Sequence, residues 1–158
     1  MSELVLQSAG FGFRSAGTGY AGSASRDIQH RQRLFQLHYP ARERLAQELT
    51  SFLDPQVATS WLGASSKGAD FPAVQAGLRF LALLPPTYLA NIELAPEIDG
   101  AIGLDWYLNP EKQLSITLSA NGELHYAAIV GPIERASGRL LFDDSIPEEI
   151  ARLLGRIS

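Results

Sequence analysis

Cysteine is missing from this chain of 158 residues. Its absence excludes disulfides, thiolate catalysis and cysteine-ligated zinc, and it is compatible with a reducing compartment. A long apolar run is missing too. No stretch reaches the roughly 20 residues that a membrane-spanning helix needs. The N-terminus, MSELVLQSAG, places Glu3 where a secretion signal carries basic residues, and its apolar core is short. A cytoplasmic protein with no membrane association is the expectation. Positive charge is not in excess either. A formal net charge of −4 argues against general affinity for nucleic-acid backbones or anionic membranes, so nucleic acid is not an expected partner. Histidine is scarce: His30 and His38 fall within and at the end of the first predicted helix without matched spacing, and His125 falls on a predicted strand. A histidine-rich metal site is not supported, and no cofactor or metal is expected.

What is present is an ordinary globular balance, 46% hydrophobic and 19% charged, in a chain long enough for one domain with a proper core. Residues 1–25 are rich in Gly, Ser and Ala and read as a flexible arm, with residues 26–158 forming a single domain. Phe11, Phe13 and Tyr20 are unusual in such an arm and suit docking on this domain or a partner. Gly17, Gly19 and Gly22 spell G-x-G-x-x-G ahead of a predicted helix. A dinucleotide loop also needs a buried strand before it and a βαβ unit around it, and neither is present.

Helices are expected over 25–37 and 41–53, the second from Leu45, Leu49, Phe52 and Leu53 on one face. Arg26, Arg31, Arg33, Arg42 and Arg44 cluster across these two helices. They read as a solvated face, or as a docking surface for an acidic partner. Asp54-Pro55 stops the second helix, and residues 57–69 read as a loop carrying Trp61. Asp70 is expected to cap a third helix that Pro85-Pro86 ends. Residues 87–99 read as an extended connection with room for a short edge strand near Ile92, Pro96 being unsuited to a central one. Ser145-Ile146-Pro147-Glu148 has the form of a capping box ahead of a C-terminal helix whose apolar face is Ile150, Leu153, Leu154 and Ile157.

Between Gly100 and Asp143, three turn signals separate four alternating runs. The apolar positions are all even: Ile102, Leu104, Trp106 and Leu108; Leu114, Ile116 and Leu118; Leu124, Tyr126, Ala128 and Val130; Leu140 and Phe142. That period of two predicts an antiparallel meander with one buried face. A two-residue Asn121-Gly122 turn would oppose Leu118 to His125 and mix the faces. A three-residue loop with Gly122 left-handed opposes Leu118 to Leu124 and keeps them apart. The predicted fold class is therefore α+β: a four-stranded antiparallel meander with helices on one face and a C-terminal helix.

The odd positions then form the outer face in three cross-strand rows. One row is Gly103, Thr117, His125 and Arg139; the next is Asp105, Ser115, Ala127 and Ser137; the third is Tyr107, Gln113, Ile129 and Arg135. Asp105, Ser115 and His125 share this face, yet Ser115 and His125 stand one step diagonal and Asp105 neighbours only Ser115. Nucleophile and base need hydrogen-bond reach, and a flat sheet face offers no oxyanion hole, so no catalytic residues are assigned. Asp99, Asp143 and Asp144 at strand ends suit turns better than calcium. Tyr107, Ile129 and Arg135 combine an aromatic, an aliphatic and an arginine, the composition of an interface hot spot.

One further pattern runs through Trp61, Leu84-Pro85-Pro86, Asp99-Gly100-Ala101-Ile102-Gly103-Leu104-Asp105-Trp106, Gly122-Glu123-Leu124-His125-Tyr126 and Ile146-Pro147-Glu148-Glu149-Ile150. In these pieces, about the last 100 residues resemble a family of uncharacterised bacterial proteins. That family pairs a Trp-Asp loop and a helix ending in Leu-Pro-Pro with an Asp-Gly-x-Ile-x-Leu-Glu-Trp strand. Leu62 stands where the pattern has Asp, and Asp105 where it has Glu. The resemblance implies the fold and carries no mechanism. The functional expectation is a small non-catalytic protein-binding module, in the manner of an antitoxin, immunity or defence-system subunit, with a protein as its partner and Tyr107, Ile129 and Arg135 as the contact row. The rival expectation is an enzyme or small-ligand binder. Its pocket would lie between the Trp61 loop and the sheet edge and use Asp105, His125 or Arg139.

Overall fold

The computed structural model describes residues 41–63 and 66–158. The expected arm, its glycine motif and the helix over 25–37 lie outside these residues. By its internal contacts the chain divides at Arg44, and Leu45–Ser158 is the second of its two units. The second holds every described strand and every described helix beyond Ser51. In order, the elements begin with α1 (Ala41–Ser51), α2 (Pro55–Leu62) and α3 (Phe71–Leu83). A single 3-10 turn, Pro86–Tyr88, leads into β1 (Ile92–Pro96), β2 (Ile102–Asn109), β3 (Lys112–Leu118), β4 (Glu123–Val130) and β5 (Arg135–Leu141). The chain closes on α4 (Glu148–Ile157). No helix among the described residues is long and apolar enough to cross a membrane.

The fold is α+β, and its antiparallel sheet has five strands in the order β1-β2-β3-β4-β5, one more than the four expected. The additional strand is Ile92–Pro96, paired with β2 from Ile92 opposite Trp106 to Pro96 opposite Ile102. Just beyond it, Glu97 N donates to Ala101 O at 2.9 Å. Odd positions of β1 therefore bond toward β2, and the nitrogen of Pro96 falls on the outer edge, where a missing N–H leaves the ladder intact.

The register follows from the alternation. Leu118 lies opposite Leu124, Ile116 opposite Tyr126, Leu104 opposite Ile116 and Tyr126 opposite Gly138. Gly122, at φ 87°, turns the β3–β4 hairpin as the three-residue loop requires, with Ser119 N donating to Glu123 O at 3.0 Å. Even-numbered side chains are the buried ones from Leu94 through Ile102, Leu104, Trp106, Leu114, Ile116, Leu118 and Leu124 to Val130. They are also the ones the helices meet. The Phe80 ring of α3 stands edge-on to Phe142 at 5.4 Å, and α4 packs against β3 and β4. Leu108 breaks the rule. The ladder shifts between Tyr107 and Asn109, a bulge that turns Leu108 out to 38% exposure.

Local signals were met less evenly at the helix ends. Residues 57–69 are not one loop: Pro55–Leu62 is helical. Asp54 does more than close α1, for its carboxylate accepts from Gln56 N at 2.9 Å and caps α2, with Pro55 pre-set in the first turn. Asp70 stands at the start of α3 without a side-chain cap; its carboxylate pairs with Lys67 Nζ at 3.1 Å. The expected capping box does not form either. Pro147 itself is the cap position of α4, and Glu148 and Glu149 supply the favourable negative charge in the first turn.

Candidate functional site

The outer face is built by the odd positions, and the fifth strand extends its rows. Glu93 joins Asp105, Ser115, Ala127 and Ser137, while Ala95 joins Gly103, Thr117, His125 and Arg139. The third row is Tyr107, Gln113, Ile129 and Arg135, each a direct cross-strand neighbour of the next. Tyr107 is 49% exposed, Arg135 is exposed and Ile129 is half-buried. The aromatic, the aliphatic and the guanidinium therefore lie in one line across β2, β4 and β5.

Of the other residues picked out in the sequence, His125 and Arg139 are direct cross-strand neighbours, whereas Asp105 lies one row away. The Ser115 hydroxyl donates to Asp105 Oδ1, so this serine is held by the carboxylate on the next strand. His125 turns instead along its own strand, its Nε2 3.1 Å from Glu123 Oε1. That hydrogen bond, seconded by the charge of Arg139, holds the Glu123 carboxyl below the usual carboxylate range. Serine, histidine and Asp105 thus form two separate pairs. The Trp61 side chain projects from α2 and packs edge-on against Phe52 at 5.5 Å.

Two carboxylates escaped the sequence reading. Glu97 reaches back over Gly103, so close that a Cβ there would come within 2.8 Å of its Oε2. Burial, together with the charges of Asp105 and Asp99, pushes the Glu97 carboxyl above its ordinary value. Glu93 is brought opposite Asp105 by the added strand. Glycine at position 103 was the available signal: a missing side chain in a strand marks a place where something else approaches. Asp99 behaves as expected of a turn residue, accepting from Ala101 N at 3.1 Å. Among the described residues no group of three or more His, Asp or Glu side chains is placed to hold a metal ion.

Charge is unevenly spread over the outer face. Glu93, Glu97 and Asp105 gather on β1, β2 and the turn between them, Arg135 and Arg139 stand on β5 at the far edge, and Glu123 of β4 feels the Arg139 charge. Compared with protein-family models, with curated proteins and with solved structures, the chain finds no match in any of the three.

Proposed function

We propose that this chain is a non-catalytic module that binds another protein through the outer face of its sheet. The observation that carries the reading is the continuous row Tyr107, Gln113, Ile129 and Arg135, which sets hot-spot residue types side by side on an accessible, rigid surface. The pairing of Ser115 with Asp105 and of His125 with Glu123 supports it from the other side, since the serine and the histidine are each bonded to a different carboxylate. Charge separation across the face adds orientation to the contact.

The test is capture from the host organism with the full chain as bait. The wild type is expected to retain a partner in stoichiometric amount, and the double variant Tyr107→Ala/Ile129→Ala to lose at least about 2 kcal/mol of binding, roughly a thirtyfold weaker Kd. Stoichiometric capture that survives this double variant unchanged overturns the assignment of the row, and no stoichiometric partner overturns the reading itself.

A further inference from the structure

The far edge of the sheet carries a feature that the row alone does not use. β5 is seven residues long, and its ladder to β4 is bracketed by Val130 N donating to Glu134 O at 3.2 Å and Phe142 N donating to Gly122 O at 2.9 Å. Even positions of β5 thus bond inward. By the alternation of an antiparallel ladder, the N–H and C=O groups of Arg135, Ser137, Arg139 and Leu141 project from the open side. Such a row is a ready template for another strand unless something blocks it. β5 has no proline and no bulge against β4. Ile133 before it and Leu141 at its end are 87% and 77% exposed.

Charge selects the occupant. Arg135 and Arg139 share the outer face of this strand, and among the described residues neither forms an ion pair. Arg135 is held only by carbonyls of its own hairpin, Glu134 O at 3.1 Å and Gly131 O at 3.5 Å. The nearby Glu123 carboxylate is already bonded to His125. A second copy of the chain, added across this edge, would bring two more guanidinium groups onto the same face, and like charges on neighbouring strands repel. An acidic strand meets the opposite case.

We infer that β5 is a β-augmentation site for an extended acidic segment of a partner protein, which adds as a sixth strand with carboxylates facing Arg135 and Arg139. The inference rests on the protein-binding reading and names the edge and the partner chemistry. Backbone hydrogen bonds from the odd positions hold the segment, and the two arginines choose its charge. On its inner face the segment meets Ala136 and Gly138, where the Tyr126 ring fills the space a side chain would take.

The experiment titrates the isotopically labelled full chain with a capped nonapeptide alternating valine and glutamate, and with its valine–lysine counterpart. The acidic peptide is expected to shift the amide signals of Arg135, Ser137, Arg139 and Leu141 and to bind at least about tenfold tighter than the lysine peptide. Ser137→Pro removes an outward N–H while sparing the inward ladder, and is expected to abolish binding. Should that variant not fold, Arg135→Glu/Arg139→Glu is expected to reverse the preference between the peptides. Silent β5 amides, equal affinity for the two peptides, or self-association through this edge each overturn the inference. The two ideas separate in the capture assay: a partner kept by Ser137→Pro but lost by Tyr107→Ala/Ile129→Ala removes the edge and leaves the row. Absence of any partner removes the protein-binding reading, while the peptide titration still decides the edge.

Discussion

At Gly100 the backbone holds φ at 93°, outside the range that side chains accept, and a Cβ there would stand 2.6 Å from Asp70 Oδ2. The same turn ties strand to helix, because Asp70 N donates to Gly100 O at 2.8 Å. Gly100→Ala therefore combines backbone strain with a clash against a tethered carboxylate, and a loss of about 2 kcal/mol in urea unfolding is expected. Glu97 gives a second residue-level expectation. Its carboxyl is raised above the value of 4.5 by burial and by Asp105 and Asp99. The folded state then holds its proton more tightly than the unfolded chain, so this group's contribution to stability declines as pH rises from about 4.5 through the raised folded value. Glu97→Gln removes the decline: a Tm higher by about 2 °C at about pH 7 and unchanged at about pH 3.5 is the expected result, followed by thermal melts. Neither residue's role was legible locally. Both depend on folding, which brings Asp70 beside Gly100 and Gly103 beneath Glu97.

Elements differ in how much of their stability is their own. α4 is held by a fully buried stripe, Ile150, Leu153, Leu154 and Ile157, and by packing against β3 and β4. Leu153→Ala opens a cavity under the sheet and is expected to cost about 3 kcal/mol. α2 is only eight residues long, and of its side chains only Ala58 is buried; its start depends on the Asp54 cap. Asp54→Ala is expected to cost about 1 kcal/mol, less than half as much, in the same denaturation series. The contrast explains what was readable. α4 announces itself through four apolar residues at helical spacing, whereas α2 has too little stripe to mark it, and Asp54-Pro55 signals a stop as plainly as a start. β1 was faint for a similar reason. Five residues with a proline at the end make a weak strand, and its existence depends on β2 offering an edge.

Across the whole molecule, the sheet separates two jobs. Its even face, with Trp106 donating its indole N–H to Tyr88 O at 2.9 Å, is buried from β1 to β4 apart from its margins and opens at β5, where Ala136 and Leu140 are half-buried and Gly138 is exposed. Its odd face is a polar platform running from acids at β1 and β2 to arginines at β5. A partner recognised by such a gradient should associate more slowly as salt screens it. Raising ionic strength from about 0.05 M to about 0.5 M is expected to lower the association rate about tenfold or more, with dissociation much less affected, as read by surface plasmon resonance with the captured partner. Salt-independent association would mean that the platform's charge plays no part in docking.

The amino-acid sequence by itself determined the two faces of the meander, their register and the C-terminal helix, because period-two alternation, a left-handed glycine and a helical apolar stripe act over a few neighbouring residues. Only the tertiary structure decided that a fifth strand joins at β1, that Leu108 turns outward, that the Ser115 hydroxyl donates to Asp105 while His125 takes Glu123, and that β5 is the last strand among the described residues. Those outcomes depend on which distant groups meet, and charge, burial and backbone hydrogen bonding are settled between partners that the chain brings together only once it is folded.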